Sequence, residues 1–295
     1  MLYDIRLRMG YDFGKAAASG RQQLRIVPRS VPGRQRVIAN VLELQPRPHE
    51  RVDSMDFFGN SVVETAYRAV KGGLSLHLQA RIERDFTPPT LDLSPKLEGF
   101  DALVRRQRSL GPRSPHHFTG PSPRLPPDPA IREYARRKTQ GSMTVLEAAT
   151  ALNQALYDDM RFDPDATHVD TPATEAFANR HGVCQDFTHI MITALRALGV
   201  PAGYVSGFLR THPPEGQARL EGADAMHAWV MAWCGEEAGW VELDPTNGIA
   251  VASDHVVVAV GRDYGDVAPV SGVLKLSGKQ VITQAVDVIA VSGSE

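Results

Sequence analysis

The 295-residue sequence is poor in cysteine, with Cys184 and Cys234 alone. That excludes the disulfide framework of a small secreted scaffold and leaves packing to supply stability. It also lacks an excess of either charge: 32 Lys and Arg stand against 34 Asp and Glu, a net charge of −2. No overall positive field therefore draws the chain to nucleic acid or to an anionic membrane surface. No stretch approaches the roughly 20 uninterrupted apolar residues that span a bilayer. The opening MLYDIRLRMG alternates instead of presenting the apolar run of a secretory leader, so a soluble, cytoplasmic protein is expected. Phosphate-cradling loops of the GxxxxGK(S/T) and strand-linked GxGxxG types are missing, as are DxDxDG calcium loops. No organic cofactor and no metal is expected on those grounds.

What the sequence does hold is an ordinary globular composition, 42% hydrophobic and 22% charged, enough for a sizeable core in one large or two ordinary domains. Two textures divide it. Residues 1 to about 87 alternate apolar and polar positions, as in Tyr3, Ile5, Leu7 and Met9, and again in Leu74, Leu76, Leu78, Ala80 and Ile82. Period two predicts half-buried strands, with VIANVLELQP and SVVETAYRAV as further ones, and an N-terminal antiparallel β-sandwich as their package. Ten of the 21 prolines fall between 88 and 129, which disfavours ladders and long helices and marks 88–127 as a connection. Nine basic residues against three acidic ones lie within 101–140. With few aromatics among them, they read as a solvated linker and helix face rather than a nucleic-acid surface.

Helical signals start at Asp128-Pro129, a cap followed by proline at the first helical position. Thr144 to Glu147 forms a capping box opening a helix to about Met160, and Thr171-Pro172 starts a short helix ending near Gly182. Residues 128–295 are thus expected to form a second, α+β domain finishing in strands at 255–260, 273–276 and 280–291.

Cys184 follows Gly182-Val183 and leads into QDFTHIMITALRALG, whose Phe187, Ile190, Met191, Ala194, Leu195 and Leu198 keep 3/4 spacing up to Gly199. The sulfur lies in the first turn of a core helix, where unpaired N–H groups and the positive dipole end favour the nucleophilic thiolate and can meet an oxyanion. AMHAWVMAWC reads as a strand and GWVELDPTNG as its hairpin partner, with Asp244 at its end among turn formers. Antiparallel pairing brings an imidazole, His227, and a carboxylate, Asp244, within reach of each other and of the helix start. In such a Cys-His-Asp arrangement His227 takes the thiol proton and Asp244 holds the imidazole. No upstream residue is marked by spacing as a second oxyanion donor. His181, Cys184 and His189 offer zinc-type ligands without paired spacing and on different helix faces, so they point away from a metal site. His116-His117 reads as solvated, and Cys234 as a packing residue.

GVCQDF, DAMHAW and GWVELDPTNG together resemble the transglutaminase-like superfamily of cysteine enzymes. DHVVVAVGRDYGDVAPVSG is similar to the segment that follows the aspartate in bacterial members. LRIVP, GRQ and DFFGN resemble the β-rich region preceding their catalytic domain. The resemblance implies a papain-like core, with Cys184 as nucleophile, His227 as base and Asp244 as its orienter. It also draws attention to Asp186 and Trp229, for which a supporting role is expected: Asp186 at the helix start, Trp229 as cleft wall or core.

The expected chemistry is acyl transfer from an amide of a protein or peptide substrate through a thioester, ending in hydrolysis of the peptidase, amidase or deamidase kind. The alternatives are glutamine cross-linking by a protein-glutamine gamma-glutamyltransferase, or an inactive protein-binding scaffold. Loops 167–174 and 211–224 are expected to shape the cleft.

Overall fold

The structure, a computed structural model, describes residues 1–86, 91–212, 220–275 and 281–291, and for 15–18 the backbone alone. Four strands open the chain: β1 (Leu2–Leu24), β2 (Gln35–Gln45), β3 (Glu50–Met55) and β4 (Ser61–Arg84). On β1 the alternation acts as its period predicts, with Tyr3, Ile5, Leu7, Met9, Tyr11 and Phe13 buried while Arg6, Arg8 and Asp12 face solvent. Each fully buried Leu or Ile contributes about 1.5–3 kcal/mol. The alternating stretches 61–70 and 74–83 are one 24-residue strand. It turns near Ala69 (φ 50°) and Gly72 (φ 84°), where glycine meets the left-handed conformation without a Cβ clash. The register of β1 against β4 shifts in the same region, between Asp12 and Ala17. The antiparallel β-rich region is thereby present as a half-barrel, a single sheet bent upon itself.

The proline-rich connection carries α1 (Phe100–Arg106) and a short 3₁₀ turn (Pro115–Phe118). It is packed rather than loose, since Phe100 and Phe118 are buried. His116 and His117, expected in solvent, are half-buried: His116 Nε2 lies 2.7 Å from the Gln107 carbonyl, and the His117 ring stands edge-on to Phe57 at 4.9 Å.

The remaining elements are α2 (Pro129–Lys138), α3 (Val145–Asp159), β5 (Arg161–Phe162), α4 (Ala173–Asn179), β6 (His181–Gly182) and α5 (Cys184–Ala197). They are followed by β7 (Ala202–Leu209), β8 (Ala225–Trp233), β9 (Trp240–Asp244), β10 (Ile249–Ala250) and β11 (His255–Gly261), then by α6 (Tyr264–Val267), β12 (Val270–Lys275) and β13 (Val281–Val291). The helix starts are where their caps put them. Asp128 accepts from the Ile131 N–H at 2.8 Å, and Thr144 and Glu147 close both bonds of the capping box. A second antiparallel sheet runs in the order β10-β9-β8-β7-β11. Helix α5 lies against β8 and β7, flanked by α2, α3 and α4, which is an α+β arrangement.

Composition divides the chain at 88 and 128, and strand pairing cuts across that division. β11 joins the second sheet, but β12 and β13 cross back to pair with β1. The end of the chain thus completes the sheet that its beginning opened. The expected strand ends at 276 and 280 lie outside the described residues. One continuous hydrophobic core joins both sheets.

Side-chain amides bind the two sheets as well. β11 is an edge strand, and Gln35 reaches both backbone groups of Val257, at 2.7 and 2.9 Å. Asn60 does the same for Val260, at 2.8 Å each. Both amides are buried. They satisfy groups that an adjoining strand would otherwise pair, which closes an edge that invites association.

Candidate active site

The thiol is positioned by what precedes it. Arg180 ends α4 in a left-handed conformation (φ 59°). β6 then pairs in parallel with β5, and the Gly182 carbonyl accepts from the Asp163 N–H at 3.0 Å. Glycine is required at 182, because a Cβ there would sit 2.6 Å from Asp186 Oδ2. Cys184, half-buried, is the first residue of the 14-residue α5. Asp186 is buried and turns back on the helix start, its Oδ2 accepting from the Val183 N–H at 2.8 Å and the Thr167 hydroxyl at 2.6 Å. Burial raises its pKa, and these hydrogen bonds oppose the rise in part. These contacts tie loop 167–171 to the helix, as does Gln185 Nε2 on the Val169 carbonyl at 2.9 Å. Of loop 211–224, residues 213–219 lie outside the described residues.

His227 sits in β8 and is buried, with Nε2 donating to Asp244 Oδ2 at 2.8 Å. Nδ1 is then the ring nitrogen left for a second partner, and the Cys184 side chain is close enough to favour the charged imidazole. Burial alone pushes an imidazole pKa down. Here Asp244 and Cys184 outweigh it, and His227 is pushed up to about 10.

Asp244, at the end of β9, is fully buried yet held far below the usual carboxylate range. Burial raises its pKa, but the donors around it prevail. Oδ1 accepts the backbone N–H groups of Thr246 and Asn247 at 3.0 and 3.3 Å, the Asx turn expected from DPTNG. Oδ2 accepts His227, Asn247 Nδ2 at 2.7 Å and, at 3.1 Å, a second imidazole, His255 Nε2.

Asn247 and His255 are absent from the set expected from sequence. Asn247 looks like any turn residue. His255 carries one signal, a titratable side chain heading the otherwise apolar strand HVVVAV.

Trp229 is core, fully buried, with its Nε1–H on Glu242 Oε2 at 2.8 Å and its ring edge-on to His255 at 5.1 Å. Gly207 makes room for it, since a Cβ there would lie 2.3 Å from the indole. Cys234 is buried, and burial pushes its pKa up to about 12, as befits a packing residue. His189 is committed elsewhere: it is buried, its Nε2 accepts from the Tyr264 N–H at 3.2 Å, and burial takes its pKa down to about 4.

His227, Asp244 and His255 bring ligand-type atoms within 4.8 Å of one another. Both imidazoles, however, meet the same carboxylate oxygen at 2.8 and 3.1 Å, hydrogen-bond lengths. Asn247 Nδ2 shares that oxygen. A zinc ion needs its ligand atoms free of protons, whereas here three donors converge on one carboxylate oxygen, the pattern of a hydrogen-bond network.

The chain matches the transglutaminase-like superfamily over residues 132–245 and the bacterial transglutaminase-like N-terminal region over residues 3–83. An uncharacterized protein of Mycobacterium tuberculosis is 33% identical over 300 residues, covering 99% of this chain and 93% of its own length. A protein-glutamine gamma-glutamyltransferase of Pseudomonas aeruginosa is 35% identical over 108 residues, 34% of this chain and 16% of that protein. The fold is shared with a candidate cysteine protease from Cytophaga hutchinsonii, at a TM-score of 0.72 and 19% identity, over 100% of this chain and 92% of that one. No helix among the described residues is long and apolar enough to cross a membrane. Matched by both family models and sharing its fold with a solved relative from end to end, the chain belongs to the transglutaminase-like superfamily.

Proposed function

We propose that the protein is a cysteine-dependent enzyme that transfers an acyl group from an amide of a protein or peptide, with Cys184, His227 and Asp244 as its triad. The observation that carries this reading is one buried imidazole bonded to a buried carboxylate at 2.8 Å, with the thiol at a helix start close enough to favour its charged form. The sulfur attacks the carbonyl carbon while the proton resides on His227, and the N–H groups of the first turn of α5 meet the oxyanion. His227 then gives its proton to the departing amine, the C–N bond breaks and a thioester remains. Water, deprotonated by His227, attacks the thioester, releasing the acid and restoring the thiol. Asp244 stays ionised throughout, because its five donors hold it far below the carboxylate range.

Hydrolysis is favoured over cross-linking, since water is the acceptor at hand for a thioester and no lysine-binding site is marked among the described residues. The local likeness to a gamma-glutamyltransferase makes amine transfer the second reading. Mass spectrometry of a glutamine peptide incubated with the protein and excess amine separates them. Acid or cleaved peptide is expected, and an amine adduct as main product overturns hydrolysis. Cys184→Ala is expected to abolish both products while keeping stability within about 1–2 kcal/mol, because one small side chain replaces another.

A further inference from the structure

We propose that His255 is a positioning residue: its Nε2–H, on the oxygen of Asp244 that also receives His227, fixes the carboxylate so that the imidazole of His227 stays aimed at Cys184. The inference rests on the triad reading above. Three observations carry it. His255 is 1% exposed and its Nε2 lies 3.1 Å from Asp244 Oδ2. Its Nδ1 is buried with no partner, so the one proton of a neutral ring belongs on Nε2, where it has an acceptor. The ring is also clamped. Trp229 stands edge-on to it and is itself held by Glu242. Asp254, the preceding residue, takes Tyr3 Oη at 3.1 Å and His212 Nε2 at 2.9 Å.

The carboxylate is anchored at Oδ1 by the backbone N–H groups of Thr246 and Asn247 and at Oδ2 by His227. Held also by a second imidazole and by the Asn247 side chain, it cannot turn without leaving a buried donor unpaired.

The test uses the whole protein and iodoacetamide at about pH 6, where alkylation reports on Cys184 because Cys234 is buried. His255→Phe keeps the ring and loses the donor, and is expected to slow alkylation about tenfold. His255→Gln keeps an N–H donor and loses the ring, and is expected to stay within about threefold of the unsubstituted protein. Equal reactivity of His255→Phe and the unsubstituted protein overturns the proposal, as does equal slowing of both variants in step with loss of melting temperature, the mark of packing alone. An unsubstituted protein that is itself inert at this pH overturns the triad reading instead, and this proposal with it. Nitrogen NMR of the unsubstituted protein checks the same point without substitution: a proton on His255 Nε2 is expected, and one on Nδ1 overturns the proposal.

Discussion

The half-barrel keeps many of its ion pairs at the surface, though Arg84 and Asp287 are buried there, whereas the second sheet buries a carboxylate between two imidazoles. On the half-barrel, Arg81 meets Asp4 at 2.7 Å with side chains 48% and 36% exposed, and Arg36 meets Glu83 at 2.7 Å with 66% and 47%. On the second sheet, Asp244 is 0% exposed and His227 7%. Exposed pairs are screened by water and can be lost with little effect. A buried carboxylate is tolerated only because every lone pair has a donor, so removing one member strands the others. Stability thus leans on the polar side chains of the region proposed to carry the chemistry, and little on the numerous ion pairs of the other.

The sharpest way to break this contrast is Asp244→Ala, which leaves two buried imidazoles and Asn247 without their acceptor. We expect destabilisation of about 3–5 kcal/mol in urea unfolding, and a loss near 1 kcal/mol would remove the distinction.

A pH series comes next. The pKa of His227 is raised above its unfolded value, so its contribution is full below about 6.5 and is lost as pH rises toward 10. Asp244 is depressed, so its contribution is present above about 3.8 and lost as pH falls below that. The urea midpoint of the native protein is expected to fall between pH 7 and 10, and His227→Gln to flatten that slope.

Arg34 lies between the extremes, joining the half-barrel to the second sheet through Glu242 at 3.0 Å and the Trp240 carbonyl at 2.9 Å. Arg34→Ala is expected to cost about 1–2 kcal/mol by the same assay. The smallest effect belongs to Arg81→Ala, expected below about 1 kcal/mol and vanishing in high salt; a larger loss would mean that the exposed pairs are not as idle as the contrast requires.

Much of this was legible in the chain because it is local. Helix starts follow from caps, the strand faces of β1 and β4 from period two, and the placement of Cys184, His227 and Asp244 from a helix start and a hairpin. What was hidden depends on partners remote in sequence. Val270–Lys275 and Val281–Val291 read as strands, and a strand's own residues do not say which strand it pairs with, so their return to β1 could not be read. His255 meets Asp244 only because β11 pairs with β7, which itself pairs with β8, an order that pairing decides. Asp12 and Gly72 show the same in the half-barrel: two alternating runs look like two strands until the bend that joins them is seen.

The central claim is that one imidazole touches both a sulfur and a carboxylate, and NMR titration of His227 in the native protein and in Cys184→Ala tests it most directly. We expect the native imidazole to keep its proton past neutrality and release it near about 10, and the substitution to move that midpoint down because the sulfur no longer supports the charge. A midpoint near the ordinary 6.5, unmoved by the substitution, would contradict the account.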